Sequence, residues 1–197
     1  MIQEQLIARG YRVSTFSCKE EAAAYLTDAI RNTTVGIGGS VTVKEMGLYE
    51  LLSGQNRVLW HWMPAEGKTS AELLTEARST EVYLSSVNAL AETGEIVNID
   101  GNGNRVAEIF YGHKKVYLIV GKNKIAPSLE EAVKRARNVA APLNAKRLNR
   151  KTPCAVKGDR CYDCDSPDRI CRGVQVLLRA PSAAVYEIIL VDEVIGY

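Results

Sequence analysis

Long apolar runs are missing from this sequence: nowhere do about 18 uncharged apolar residues follow one another, the length that a membrane-crossing helix needs. The opening, MIQEQLIARGYRV, carries Glu4 and lacks the apolar stretch of a secretory leader. Together these place the expected location in the cytoplasm, with no membrane partner. A surplus of one charge is missing as well. The chain has 25 Lys and Arg against 23 Asp and Glu, a formal net charge of +2. That is too little for a nucleic-acid surface, so any anion site has to be local. Histidine is scarce. His61 and His113 lie far apart with no second histidine at ligand spacing, and each reads first as a packing or surface residue, with His61 also placed to line a pocket. A Walker A loop and a dinucleotide fingerprint are both absent, so hydride chemistry, if any, is expected on another subunit. There is no internal repeat and no low-complexity linker.

What is present fits one α/β domain over residues 1–197, large enough to bury a core without covalent staples. Helical patterns near 2–9, 19–31, 42–53, 69–78 and 128–139 alternate with β-rich runs at Thr34–Ile37, Arg57–Trp60, Glu81–Ser85, Lys115–Val120 and Ala184–Val191. Such alternation predicts a mostly parallel sheet flanked by helices. The unbroken apolar run from Val116 to Val120 predicts a central strand buried on both faces. Composition breaks only at 149–173, where Pro, Gly, Asp, Arg and Cys crowd into an expected irregular lobe, and the apolar run after it is expected to return as a strand.

That lobe carries four of the five cysteines, Cys154, Cys161, Cys164 and Cys171, spaced C-x6-C-x2-C-x6-C. In a reducing compartment, clustered thiols read as metal ligands or redox groups rather than disulfides. Four thiolates suit a [4Fe-4S] cluster or a tetrahedral zinc, and a single C-x2-C with two longer arms favours the iron-sulfur reading. Cys18 stands apart and reads as a small packing residue.

Two further stretches could carry chemistry. In Thr34-Val-Gly-Ile-Gly-Gly-Ser-Val-Thr-Val-Lys44 a strand ends in glycines before a helix start, which is either a tight turn capped by Ser40 or Thr42, or an anion site. The anion would lie on Gly38, Gly39 and Ser40, with Lys44 as counter-charge. In the second stretch, Glu92 stands before a Thr-Gly turn as a candidate general base or nucleophile. Shortly after it, Asn102, Asn104 and Arg105 lie on or beside an Asp-Gly-Asn-Gly-Asn turn, where Arg105 could grip a carboxylate bidentately. The plainer reading makes Glu92 to Glu95 a hairpin turn and Asp100-Gly-Asn-Gly-Asn another.

Six stretches taken together resemble the LUD-domain (lactate-utilisation) family: Gly36-Ile-Gly-Gly-Ser40, Val43-Lys-Glu-Met-Gly47, Ala91-Glu-Thr-Gly94, Asn98-Ile-Asp-Gly-Asn-Gly-Asn-Arg105, Val120-Gly-Lys-Asn-Lys-Ile125 and Asn144-Ala-Lys-Arg147. The likeness spans roughly residues 10–190 and is similar to a stand-alone, anaerobe-type branch with a four-cysteine tail. It implies a fold like that of the ribose-phosphate isomerase and CoA-transferase group. It also implies a part in hydroxy-acid (lactate) oxidation, with a small anionic metabolite as ligand and an iron-sulfur oxidoreductase as partner. The chain lacks the second cysteine-rich, ferredoxin-like repeat of the larger electron carrier, so the full oxidation is not expected from it alone. Two other readings stand beside this one: a CoA-transferase-like or hydrolase-like enzyme with Glu92 as covalent nucleophile, and a non-catalytic, metal-stabilised accessory subunit.

Overall fold

The computed structural model describes residues 1–63 and 67–197. In chain order the first half comprises α1 (Ile2–Ala8), β1 (Arg12–Phe16), α2 (Lys19–Ala29), β2 (Thr34–Ile37), α3 (Val41–Glu45), α4 (Leu48–Ser53), β3 (Arg57–Trp60), α5 (Ser70–Ala77) and β4 (Val82–Ser86). There follow β5 (Ala89–Ala91), β6 (Ile96–Asp100), α6 (Asn104–Phe110), β7 (Lys115–Gly121), β8 (Ile125–Ala126), α7 (Leu129–Arg135), α8 (Ala141–Arg147), α9 (Pro153–Lys157), β9 (Gly173–Leu177) and β10 (Val185–Val191). A π-helical turn, Ala136–Ala140, joins α7 to α8.

Six strands form one sheet in the order β1-β10-β7-β4-β2-β3, with every neighbouring pair parallel. The apolar run predicted as a central strand is β7, whose side chains alternate between two cores. Tyr117 and Ile119 pack with Leu26, Val35 and Leu84 on the face covered by α2, α3 and α4. Val116, Leu118 and Val120 pack with Leu6, Leu90 and Ile109 on the other. Each such buried aliphatic side chain contributes about 1.5–3 kcal/mol of transfer free energy, so this strand anchors both layers.

Of a second sheet, β8-β5-β6-β9, the sequence showed only the hairpin turn at 92–95 and the strand returning after the cysteine-rich lobe. This sheet is mixed: β5 and β6 form an antiparallel hairpin, β8 runs parallel to β5, and β9 returns antiparallel to β6. Its small Ala89, Ala91 and Val97 side chains receive α7 and the π-helical turn through Ala132 and Ala136. The helix expected over 42–53 is two helices, broken at Gly47, whose φ of 62° lies in the left-handed region. The pattern over 128–139 continues instead to Arg147, because Pro142 falls in the first turn of α8, where its missing N–H costs little. Among the described residues no helix is long and apolar enough to cross a membrane.

Candidate functional site

All six strands of the large sheet run the same way, so the loops leaving β3, β2, β4 and β7 emerge along one edge, where ligands of open α/β sheets bind. They enclose a cleft of about 340 Å³. The loop after β2 supplies Gly39 and Ser40, and that after β3 supplies His61 and Trp62. Ser86 and Asn88 come from the end of β4, and Lys124 from the turn after β7. The opposite wall is the turn carrying Asp100, Asn102, Asn104 and Arg105, with Asn144 and Arg147 of α8. Among the described residues, Arg105, Lys124, Arg147 and Arg150 are the lysine and arginine side chains of this lining, against the one side-chain carboxylate of Asp100.

Arg105 is spent on the protein itself. Its Nη1 donates to Asn98 Oδ1 at 2.9 Å and Ser86 O at 3.3 Å, and its Nη2 to Ile99 O at 2.7 Å and Asn88 Oδ1 at 3.1 Å. Its Nε pairs with Asp100 Oδ2 at 3.5 Å. A guanidinium has five N–H groups, so the carboxylate fork foreseen for Arg105 is closed, and the residue ties β4, β6 and α6 together beneath the cleft. Asp100 in turn accepts the backbone N–H groups of Asn102 and Gly103, the Asx turn that Asp and Gly favour.

Arg147 is the more open cation. Its guanidinium stacks 4.5 Å over the Trp62 ring, and Nε and Nη2 donate to Asn144 Oδ1 while Nε also donates to Tyr197 Oη. Nη1 makes no hydrogen bond among the described residues. His61 faces the same space with a buried Nδ1 that has no partner there. Burial, then the charge of Arg147, holds its pKa below the ordinary value, with Asp100 opposing.

Lys124 had no part in the sequence-based site, although it lies in the Val120–Ile125 stretch. The short 3-10 turn Lys122–Lys124 sends Lys122 outward to Asp192 and Lys124 inward, where the latter is 2% exposed. Its Nζ donates to Thr42 Oγ1 and Ser86 Oγ, both at 2.7 Å. Burial, with Arg135 and Arg105 nearby, lowers its pKa to about 7, Glu45 opposing.

The structure brings Gly39, Ser40, Asn102, Asn104 and Arg105 to one cleft and leaves three expected site residues outside its lining. Gly38 lies beneath it: a Cβ there would stand 2.7 Å from Tyr83 Oη and 2.8 Å from Ser85 Oγ. The close approach that this glycine permits is to the protein's own side chains. Gly38→Ala is therefore expected to cost about 1–3 kcal/mol through overpacking, measured as a lower urea midpoint; an unchanged midpoint would contradict that packing. Lys44 is exposed, on the outer side of α3. Ser40 is the cap of that helix, its Oγ accepting the Val43 N–H at 3.2 Å. Glu92 is exposed on the β5–β6 turn and not partly shielded as expected. Ala91 N donates to Glu95 O and Gly94 N to Ala91 O, each at 2.8 Å, which makes the segment a hairpin turn. His113 is a core residue, bonded to Thr80 O at 2.7 Å and Glu108 Oε2 at 2.8 Å and stacked on Tyr83. Cys18 is the half-buried residue before α2, apart from the lobe.

The cysteine lobe contains α9, which carries Cys154, and 158–172 holds no helix or strand. It is fastened to the cleft wall, since Arg172 N donates to Asp100 O at 3.0 Å and Ile170 lines the cleft. Cys154, Cys161, Cys164 and Cys171 are free thiols, each half-buried. Basic side chains attend them: Arg137 Nη2 lies 3.8 Å from Cys161 Sγ, and Arg169 donates to the carbonyls of Cys164 and Cys171 at 2.9 Å. In kind the donor set fits a tetrathiolate centre. In position it does not close one: among the described residues no three His, Cys, Asp or Glu side chains are grouped to hold a metal ion.

Fold and site together define an open, parallel α/β domain with a basic ligand cleft at the strand ends. The chain belongs to the LUD-domain family, whose pattern it matches over residues 1–191. Family membership supports a role related to lactate utilisation. No curated protein matches it. Among solved structures it is similar to a DUF162 family protein from Deinococcus radiodurans, with a TM-score of 0.55 at 14% identity over 96% of this chain and 93% of that one. That likeness shows the fold alone. Ribose 5-phosphate isomerase from Plasmodium falciparum aligns more distantly, with a TM-score of 0.34 at 17% identity over 55% of this chain and 52% of that one.

Proposed function

We propose that the cleft binds a small organic anion, a hydroxy acid such as lactate or its oxo acid, and that the chain serves as the metabolite-binding part of an iron-sulfur redox system. The observation that carries this reading is the makeup of the lining, in which the described residues set four basic side chains against one side-chain carboxylate that is already held by Arg105 and two backbone N–H groups. A cleft of about 340 Å³ is near the lower end of ligand pockets, a size for a small metabolite. Arg147 is the residue assigned to the carboxylate, because its planar face is fixed on Trp62 and a guanidinium suits bidentate recognition. Arg147→Ala is expected to weaken lactate or pyruvate binding about tenfold or more in calorimetry, in line with the loss of a charge-assisted bond. Its unfolding midpoint should change little, since the side chain is exposed. Equal affinity in wild type and variant would remove Arg147 from the site.

In the same proposal Cys154, Cys161, Cys164 and Cys171 hold a [4Fe-4S] cluster, with zinc as the alternative occupant. When bound, a cluster would supply electron transfer to an iron-sulfur partner. The lobe has little regular structure to unmake, so uptake would be coupled to drawing the four thiols together. Iron, sulfide and zinc analysis of protein purified without oxygen decides between the occupants: about four irons per chain supports the cluster, one zinc a structural centre. A covalent role for Glu92 has no comparable support, as its side chain is exposed and outside the cleft lining.

A further inference from the structure

Among the described residues Lys124 is the one lysine of the cleft lining, and its surroundings are those of an amine rather than a structural ammonium. No carboxylate pairs with it among the described residues. Its two hydrogen bonds go to the hydroxyls of Thr42 and Ser86, both at 2.7 Å. Those hydroxyls have committed their own hydrogens, Ser86 Oγ to Ile119 O at 2.7 Å and Thr42 Oγ1 to Ile195 O at 3.4 Å. Each therefore acts on Lys124 as an acceptor. A neutral amine has two N–H groups and one lone pair. With both N–H groups engaged by the two hydroxyls, the lone pair has no partner among the described residues, and the cleft that Lys124 lines is the space beside it.

Charges around the amine favour the same state. Arg135 of α7 and Arg105 of α6 oppose a further positive charge, and Glu45 of α3 is the one group favouring it. Burial is the larger influence, and the amine titrates near pH 7. The neutral form is thereby far more accessible at neutral pH than for an exposed lysine. Desolvation beside other cations is how a lysine becomes a nucleophile towards carbonyl substrates.

We propose that Lys124 forms a Schiff base with the carbonyl carbon of a small oxo acid held in the cleft. This rests on the reading of the cleft as a small-anion site and narrows the ligand to a carboxylate bearing an adjacent carbonyl. The nitrogen lone pair attacks the carbonyl carbon, the carbonyl electron pair moves to oxygen, and the ammonium proton passes to that oxygen to give a carbinolamine. The nitrogen lone pair then forms a new double bond to that carbon as the C–O bond breaks and the hydroxyl, protonated, leaves as water, giving an iminium. A last proton lost from nitrogen returns the balance to amine plus carbonyl giving imine plus water, with no oxidant or reductant consumed. The imine acidifies hydrogens on the neighbouring carbon, so the site would activate that carbon.

The test uses the full chain with pyruvate as probe and cyanoborohydride as imine trap, read by peptide mass mapping, with pyruvate and lactate binding measured separately by calorimetry. The expected result is one reduced pyruvate adduct on Lys124, absent with lactate, absent from exposed Lys44 and Lys122, and rising in yield through about pH 7. Pyruvate binding without an adduct on Lys124, or adducts spread over exposed lysines, overturns the Schiff base and leaves the anion site standing. Absence of binding by either acid removes the anion reading and this inference with it. Mapping on the wild-type chain keeps the test independent of whether Lys124→Met folds.

Discussion

Arg105→Ala is expected to lower the unfolding free energy by about 3–5 kcal/mol, the range for breaking a buried charge network from one side. The physical reason is the number of acceptors left behind. Asn98 is fully buried and Ile99 nearly so, and Arg105 supplies hydrogen bonds to the Asn98 Oδ1, Ile99 O, Asn88 Oδ1 and Ser86 O atoms. Removing it also frees the Asp100 carboxylate, which would then place an unbalanced negative charge beside an anion site. For a chain of this length that corresponds to a thermal midpoint lower by about 6–20 °C. Arg105→Lys should recover little of the loss, since an ammonium has three donors and no planar fork. A midpoint within about 2 °C of wild type for the alanine variant would mean that water replaces the guanidinium, and that β4, β6 and α6 do not depend on it.

This also explains what the sequence could reveal about the site. The Asp100-to-Arg105 turn was legible as a turn because Asp, Asn and Gly have specific backbone chemistry, and its residues do reach the cleft. Whether the arginine beside it points at ligand or protein depends on three strands meeting it, which no local spacing records. Gly38 posed the same difficulty. A glycine after a strand suits a ligand and a packed neighbour equally, and Tyr83 and Ser85, which decide between them, lie more than forty residues on. Lys124 was hidden for a different reason: Lys122 and Lys124 look alike in sequence, and only the 3-10 turn separates the exposed one from the buried one.

Of the fold, the parallel sheet was the legible part, because β4, β7 and β10 are apolar on both faces and announce burial directly. Of the second sheet only the hairpin turn and the strand after the lobe were legible, since β5 has three residues and β8 two, too short to show a period. β1, an edge strand of mixed polarity, was missed on similar grounds. In the second sheet, β9 lies just beyond the cysteine lobe and is the returning strand expected there, although its first residues are exposed.

At the other end of the large sheet from the cleft, Glu187→Ala is expected to destabilise the chain about as much as the Arg105 variant, about 3–5 kcal/mol, without altering anion affinity. Glu187 is 3% exposed near the start of β10. Its carboxylate accepts from Tyr25 Oη at 2.6 Å and Ser14 Oγ at 2.8 Å, and pairs with Lys115 Nζ at 3.0 Å. Burial is the largest single influence on the carboxyl and raises its pKa, yet the three donors together outweigh it and hold the group below its ordinary value. Lys115 shifts the opposite way, raised against its own burial by Tyr117 and Glu187. A carboxyl that is more acidic folded than unfolded contributes its stability above the unfolded pKa, about 4.3, and loses it as the pH falls through the lower, folded value. Wild-type unfolding free energy should therefore drop through this acid range, and the Glu187→Gln variant, which has no proton to take up, should show a shallower fall. Denaturant titrations at pH 7 and at stepped acid values measure both effects. An acid limb of equal steepness in wild type and Glu187→Gln would assign the acid lability to other carboxylates and leave Glu187 as a packing group.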